Sequence, residues 1–393
     1  MSTLKVNKIE NTGTTDGGIE IDNTGHVQID GVQMPTAGAL SNRNLIINGA
    51  MNVAQRGSSG VTTSGFGTVD RFQSRFSSGS VTQSQETLTS GTPFNEGFRF
   101  FYRQTNTSAA SDTAAGERKI QYFTEAQDIT CSGWDCTSSS SFITLSFFVR
   151  SSVGQEFFGY LRSNDGTNQS YAFSTGTLTA GTWEKVTKTI PGNSNITINT
   201  DTGAGLELVL AAFFGTDFTD SSKSVDSWSA HSNSARSPDN TSTWATTAGA
   251  TFDITGVQLE VGEKATPFEH RSYGDELHRC QRYYFQIDPP DGNANPICTG
   301  LAVTSHTCSA SINFPIAMRE APTSLTSTGT ASDYNLRSAS GSGAATGAPS
   351  LAEATKYTAS FGIIRQNELS AGDAVLVRFN TAASFLGFSA ELS

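Results

Sequence analysis

The residues best suited to bind a ligand lie in one polar stretch, Asp217–Trp244, which holds two of the four tryptophans of the chain. Trp228 and Trp244 could each stack on the apolar face of a sugar ring. The nearby residues that could hydrogen-bond sugar hydroxyls are Asp226, Asn233 and Asn240. The stretch therefore indicates a glycan-binding loop. In the alternative interpretation, both tryptophans fold back and plug one end of the domain core.

A second candidate segment is Cys131–Cys136, in which Trp134 lies between two thiols. Trp134 could also stack on a sugar, with burial in the core as the alternative. The two cysteines are close enough in sequence for a disulfide. Five cysteines in 393 residues lack the density of a disulfide scaffold, however, so free thiols are the other interpretation. Trp183, at the start of a predicted strand, is expected in the core.

Signatures of catalysis are missing from the sequence. It contains no Gly-x-Ser-x-Gly, no His-Glu-x-x-His, no P-loop and no dinucleotide-binding motif. No Cys-x-x-Cys pair and no Asp-x-Asp loop are present that could ligate a metal. We therefore expect no enzymatic activity, no cofactor and no metal site.

The elements that must position these residues are β-strands. From Asn44 to Glu269, runs of alternating or continuous apolar residues such as Leu206–Phe214 recur at a spacing of roughly ten residues. The Asp-Gly pair of Ser163–Gly166 predicts a tight hairpin turn. The pattern is typical of an antiparallel two-sheet sandwich, with Gly215–Ala250 as one long polar loop.

Two short near-copies, Gly18–Asp22 and His26–Asp30, precede the predicted sandwich. Apolar and polar residues alternate in both, which predicts strands with one apolar face. The residues of that face are Ile19, Ile21, Val27 and Ile29. Because two such strands cannot bury a face alone, we expect residues 1–43 to intertwine with other copies or to dock on another protein.

One segment, Ser272–Tyr284, predicts a helix. Tyr273, Leu277, Cys280 and Tyr284 follow one another at spacings of four, three and four residues, which is the seam of a coiled coil. A helix this short is marginal alone, so we expect a trimeric bundle with helices of other copies. The alternative is a connector helix that lies on the sandwich.

After the predicted helix the β pattern returns, for example in Thr307–Phe314 and Thr358–Ile364. Arg337–Pro349, a Ser/Gly/Ala tract, is predicted to be an exposed loop. The predicted fold is all-β throughout: a short-strand stem at 1–43, a central β-sandwich jelly roll at 44–270, a short helix at 271–284, and a small antiparallel β domain at 285–393.

The charge of the chain restricts its partners. The formal net charge is −11 and the sequence pI about 4.9, with no Lys/Arg-rich run, so binding to nucleic-acid phosphates is not expected. Met1–Glu10 lacks the pattern of a signal peptide, and no apolar run of about 18 residues occurs. We therefore expect neither a cleaved signal nor membrane insertion.

Several short motifs occur in order along the chain. They are Asn42–Met51, Gln55–Gly57, Asp70–Phe72, Phe252–Gly262, Ala265–Glu269, Glu276–Tyr284, Phe314–Thr323 and Ser389–Leu392. Together these motifs resemble tail fibre proteins of tailed bacteriophages that carry a carbohydrate-binding-module-like jelly roll, and the N-terminal segment is similar to virion proteins of marine phages. The resemblance spans nearly the whole chain. It implies an elongated homotrimeric fibre with N-terminal attachment and a receptor-facing C-terminal end.

The sequence is thus interpreted as a virion structural protein, a tail fibre that attaches the phage to a host-surface glycan by multivalent receptor binding. Residues 1–43 would bind the phage tail or an adaptor protein. The protein would be made in the host bacterial cytoplasm and act in the virion. Two alternatives remain open at this point: a head or collar fibre or decoration protein, and a polysaccharide-degrading tailspike enzyme.

Overall fold

The structure is a computed structural model that describes residues 8–10, 18–21, 27–29, 32–33, 42–108, 113–289, 295–366 and 368–392. Strands account for 46% and helices for 7% of it, which confirms the predicted all-β class. The chain forms two units. The first contains residues up to 52 and residues 58–271, and the second contains residues 53–57 and 272–393.

The first unit begins with an antiparallel meander of short strands. These strands are β1 (Lys8–Glu10), β2 (Gly18–Ile21), β3 (Val27–Ile29) and β4 (Val32–Gln33), in that spatial order. Ile19 pairs with Ile29, and Ile21 pairs with Val27, so the four side chains share one face as predicted. Each is 37–45% exposed. No part of the chain that the structure describes covers this face, and the connecting residues of the stem lie outside the described residues.

Two larger antiparallel sheets follow. In chain order their strands are β5 (Gln73–Ser77), β6 (Val81–Thr87), β7 (Phe100–Asn106), β8 (Glu117–Glu125), β9 (Phe142–Ser151), β10 (Glu156–Ser163), β11 (Gln169–Thr177), β12 (Glu184–Pro191), β13 (Ala204–Phe214), β14 (Ser227–Ala230) and β15 (Thr251–Val261). One sheet has the order β14-β11-β10-β13-β8-β5, and the other β12-β9-β15-β7-β6. Two short helices, α1 (Thr92–Asn95) and α2 (Ala126–Thr130), lie between strands.

The core of the first unit lies between these sheets. Leu206 and Leu208 of β13 and Leu145 and Phe147 of β9 belong to the same buried cluster. Alternation therefore directs one face of each sheet inward, which is the predicted sandwich. The predicted hairpin also forms, since β10 and β11 pair and Gly166 adopts a φ of 61° in the turn.

The predicted long loop Gly215–Ala250 is more ordered than expected. Thr216–Phe218 forms a 3₁₀ turn, and β14 pairs with β11 at the sheet edge. The Ser-Trp-Ser-Ala sequence of β14 alternates polar and apolar residues too briefly to stand out from its polar surroundings.

The start and end of the sandwich are held together by residues from three of the motifs described above. The Glu269 carboxylate accepts the N–H of Asn44 (2.9 Å) and that of Asn42, and it pairs with Arg271 (3.0 Å). The Asn44 side-chain oxygen accepts the N–H of Leu259 (3.1 Å). These motif residues therefore have a structural role, closing the domain where the chain enters and leaves it.

On the outer face of the five-stranded sheet, Trp183 occupies a position that differs from the core position expected for it. Trp183 lies half-buried there, 4.5 Å from the Arg150 guanidinium and edge-on to Phe101, instead of in the central core. Beneath it, the fully buried Asp253 carboxylate pairs with Arg150 and Arg103, each at 2.7 Å. The ring covers an ionic cluster, so its apolar surface is used outside the core.

The second unit contains α3 (Tyr273–Gln281) and two further sheets. Their strands are β16 (Tyr284–Ile287), β17 (Pro296–Ala302), β18 (Thr307–Asn313), β19 (Ser324–Ser327), β20 (Tyr334–Ser338), β21 (Gly341–Ala344), β22 (Gly347–Ala354), β23 (Thr358–Ile364), β24 (Ala374–Phe379) and β25 (Leu386–Ser389). The orders are β16-β25-β19 and β21-β20-β24-β17-β18-β23-β22. Arg337–Pro349, predicted to be an exposed loop, instead runs through β20, β21 and β22. Its small side chains hide the strand periodicity.

The predicted helical seam is wrong in its second half. The helix spans Tyr273–Gln281, and Tyr284 begins β16, which pairs with β25. Cys280 and Tyr284 are buried within the single chain, so neither is available to a neighbouring copy. Tyr273, at 60% exposure, and the half-buried Leu277 remain at the surface. A heptad spacing cannot distinguish a helical residue from a strand residue that follows the helix end.

Another motif packs in the second unit. The Gln55 side chain donates to the Tyr284 carbonyl (2.7 Å), and the Arg56 guanidinium lies 3.4 Å above the Tyr284 ring. Arg56 also pairs with Glu391 (3.3 Å). Residues 53–57 therefore form part of this unit although the sequence around them belongs to the first.

Candidate functional site

The six-stranded sheet presents polar side chains on the face that points away from the core. In β13, Leu206 and Leu208 point inward, so Glu207 and Val209 point outward. Nevertheless, Glu207 is only 1% exposed and Val209 is fully buried. The outer face is therefore covered by another part of the chain, and its polar groups are largely shielded from water.

The covering segment, here called the cover, comprises residues 216–240. The Phe218 ring lies 6.4 Å from that of Phe214 at the end of β13. The His231 imidazole lies 5.6 Å from the Tyr160 ring of β10. The cover thus packs on the sheet through aromatic rings and also adds β14 to its edge.

A band of polar side chains, here called the polar belt, crosses this face. The belt consists of Gln73, Gln121, Glu207, Arg162, Ser170 and Ser229. Arg162 lies opposite Glu207 on one neighbouring strand and opposite Ser170 on the other. Its Nη2 is 2.6 Å from Glu207 Oε2, and Gln121 donates to the other carboxylate oxygen. The register of the six strands therefore assembles one continuous polar surface.

Several atoms of this surface are buried without a hydrogen-bond partner among the described residues. They are Gln73 Nε2, Gln121 Oε1 and Arg162 Nε of the belt, together with Nδ2 of the adjacent Asn164. Leaving such an atom unsatisfied costs about 1–3 kcal/mol. Both donors and acceptors are represented, and a sugar hydroxyl can serve either role. The belt is therefore chemically suited to a ligand rich in hydroxyl groups.

The electrostatic setting of the belt strengthens such contacts. Burial raises the pKa of Tyr160 well above its ordinary value, with the Glu207 charge adding to the shift. Burial also lowers the pKa of Lys119, against the opposing effect of its Glu117 partner. Both shifts indicate a low local dielectric, in which polar contacts to a ligand are stronger than in water.

His231 makes the stability of the cover sensitive to pH. Burial, followed by the Arg162 charge, lowers the pKa of His231 from 6.5 to about 4. Between these values the unfolded chain binds a proton that the folded chain does not, so stability falls as the pH falls from 6.5 toward 4. We expect the melting temperature of His231→Gln, measured as a difference from wild type, to be more favourable to the variant at pH 5 than at pH 7. An equal difference at both pH values would contradict a buried neutral His231.

Trp228 and Asp226, both predicted to bind glycan, lie at β14. Trp228 is half-buried: its Nε1 donates to the Pro191 carbonyl (2.6 Å), and its ring packs edge-on against Tyr171 at 5.5 Å. Asp226 adopts a φ of 56° just before the strand, and its carboxylate pairs with Lys188 (3.1 Å). The two residues are therefore adjacent to the belt edge, and their binding role remains a prediction.

Asn233 and Asn240 both lie in the cover. The Asn233 side-chain oxygen is exposed and accepts from Arg236 Nη2 (3.2 Å), and it lies 3.4 Å from His231 Nε2. Asn240 is half-buried near the end of the cover. The structure thus associates Asn233 with the cover residues His231 and Arg236.

Trp244 and Trp134 occupy the sandwich core. Trp244 is 0% exposed, and its carbonyl accepts from the buried Asn106 amide (3.2 Å). Trp134 is 5% exposed, and its Nε1 donates to the Ser141 carbonyl (3.3 Å). A ring with no free face cannot stack on a sugar, so a core role replaces the binding role predicted for both. Trp244 follows the alternative interpretation, a plug of the core.

The belt residues are not among the predicted site residues. Glu207 and Arg162 each occur inside an apolar strand, at the position that alternation directs outward. A charged residue within such a run was the available signal. Because sequence does not show that the outer face is covered, these charges read as ordinary solvated residues.

Metal and redox features are few in the described part of the chain. No group of three or more His, Cys, Asp or Glu side chains that could hold a metal ion occurs there. Cys131 and Cys136 are not joined by a disulfide. None of the described helices has the length and apolar character needed to cross a membrane.

No protein-family model matches the chain. No curated protein matches it either. Comparison with known proteins therefore rests on solved structures alone.

The structural neighbours include a phage tailspike domain and carbohydrate-binding modules. Tailspike protein 4 of bacteriophage CBA120, in its enzymatically active domain, is 11% identical with a TM-score of 0.30, over 56% of this chain and 22% of that one. A xylan-binding domain from Paenibacillus barcinonensis is 10% identical with a TM-score of 0.26, over 59% of this chain and 100% of that one. An exo-β-agarase is 12% identical with a TM-score of 0.28, over 58% and 26%. At these identities and scores the likeness does not extend to ligand or activity.

Proposed function

We propose that this protein is a non-enzymatic tail fibre subunit that attaches a phage to its host by binding a surface glycan. The observation that carries the glycan-binding part is the polar belt. Several of its donors and acceptors have no hydrogen-bond partner among the described residues, and paired strands beneath the cover hold them in place. Rigidly held polar groups bind a ligand with little further loss of conformational entropy.

The virion part of the proposal rests on the ordered motifs from Asn42 to Leu392 and on the exposed apolar face of the stem. Ile19, Ile21, Val27 and Ile29 would contact other copies of the chain, the phage tail or an adaptor protein. In a homotrimer, Tyr273 and Leu277 would be available to neighbouring copies. Three belts on one fibre would turn weak single-site binding into firm attachment by avidity.

The test is a binding assay of the full-length chain against purified bacterial surface polysaccharides. We expect binding to at least one polysaccharide, no release of reducing ends, and weaker binding after Asn164→Ala, which shortens a half-buried side chain beside the belt. Lack of binding to every polymer would overturn the glycan-binding proposal. Release of oligosaccharides would instead indicate a tailspike enzyme.

Location and assembly need separate measurements. Light scattering should give three times the chain mass of 41.6 kDa. Immunogold labelling should mark the tail, whereas label on the head or collar would indicate a fibre or decoration there.

A further inference from the structure

Lys223, in the cover, is a half-buried cation without an anionic partner in the described part of the chain. Its Nζ donates to Ser229 Oγ (2.7 Å) and Ser170 Oγ (3.1 Å). Burial lowers its pKa, and no neighbouring carboxylate opposes the shift. By contrast, Lys188 pairs with Asp226 at 3.1 Å. A cation withdrawn from water is costly unless it is paired. An unpaired cation therefore stands out in a chain whose formal net charge is −11.

The surroundings of Lys223 supply further donors. Ser170 lies opposite Arg162, whose Nε is buried and has no hydrogen-bond partner among the described residues. Arg162 Nη2 donates to Asn164 Oδ1 (2.9 Å), and Asn164 Nδ2 is buried with no partner in the part of the chain that the structure describes. Glu207 neutralises the Arg162 charge, so the Lys223 charge is left over. An ammonium has three donors, and the two serines engage two of them.

We propose that Lys223, Arg162 and Asn164 bind the carboxylate of a uronic acid, so that the ligand is an acidic polysaccharide. This inference rests on the proposed glycan-binding function and specifies the class of glycan. A carboxylate only accepts hydrogen bonds and carries one negative charge, which matches the surplus donors and the surplus charge. A neutral sugar would satisfy the donors but leave the Lys223 charge unpaired.

The test compares polymers that differ only in charge. The full-length chain is titrated with polygalacturonate, alginate and hyaluronan, and with the methyl ester of each, in which the carboxylates are neutral. Dextran sulfate and dextran form a second pair with sulfate as the anion. We expect binding to at least one polyuronate, at least about tenfold weaker binding to its ester, and affinity that falls with salt.

Variants locate the effect. Lys223→Gln keeps a hydrogen-bond donor for the serines while removing the charge, and it should weaken polyuronate binding about tenfold or more. Lys223→Arg should bind within about threefold of wild type, because the charge is retained. The matched control is Lys356→Gln, which removes the same charge from an exposed lysine of the second unit and should change nothing. Thermal melting verifies that each variant is folded.

The possible failures are distinguishable. Equal binding to acid and ester, or an unchanged Lys223→Gln, would overturn the uronate inference while leaving glycan binding in place. Preference for dextran sulfate over every polyuronate would indicate that the site binds a sulfate ester instead of a carboxylate. That result would also overturn the uronate inference. Absence of binding to all polymers, neutral ones included, would overturn both this inference and the proposed function.

Discussion

Trp244→Ala should lower the free energy of unfolding of the first unit by about 3–5 kcal/mol. The Trp244 ring has no exposed surface and lies in the main core cluster between the sheets. Its removal would leave a cavity that the surrounding rigid strands cannot close. Denaturant titration followed by tryptophan fluorescence measures this unit specifically, because all four tryptophans lie between residues 134 and 244.

Trp228→Ala is the matched control. The ring is half-buried at the sheet edge, so we expect a loss of only about 1–2 kcal/mol. Under conditions where both variants are folded, Trp244→Ala should bind glycan as well as wild type does. A loss of binding without a loss of stability would return Trp244 to the role of a sugar platform.

The second large effect concerns the Arg162–Glu207 ion pair. Arg162→Met should destabilise the first unit by about 3 kcal/mol, because it leaves a nearly fully buried carboxylate without its cation. The double variant Arg162→Met/Glu207→Leu should recover most of this stability, since an apolar pair of similar size replaces the ionic one. Glycan binding should be lost in both variants.

The double variant separates the structural contribution of the ion pair from its part in binding. Denaturant titration gives the free energy of unfolding. Titration with polysaccharide, at low temperature and without denaturant, gives the affinity. If the double variant binds like wild type, the belt does not contact the ligand. If it stays as unstable as Arg162→Met, the cost does not arise from an unpaired Glu207.

Alternation was sufficient to predict the sandwich, because residues such as Leu206 and Leu208 can be buried only on one face of a strand. Whether an individual tryptophan ring is buried or exposed was not predictable in this way. A polar loop is compatible with both an exposed ring and a plug, and it is the complete burial of Trp244 in the structure that distinguishes them. The end of α3 was also hidden, since the pairing of β16 with the distant β25 ends the helix before Tyr284.

The candidate site was the least predictable part. Glu207 is far in sequence from Arg162 and Ser170, and the three residues meet only through strand register. Their burial depends on the cover, whose contacts come from His231 and Phe218. No local sequence pattern encodes the strand register or the coverage of the outer face. Analysis of the sequence therefore predicted a site in the cover and not on the sheet beneath it.

The contacts of Glu269 with Asn42 and Asn44 have a consequence for how such proteins can diversify. A domain whose two ends are adjacent can be exchanged as one cassette without rerouting the flanking chain. Under the proposed function, recombination that replaces this sandwich by another would change the glycan that is bound. Gln55 and Arg56 set a condition on the exchange, because they belong to the second unit and contact Tyr284. An incoming cassette must carry the same two residues, or the recipient loses part of its C-terminal unit.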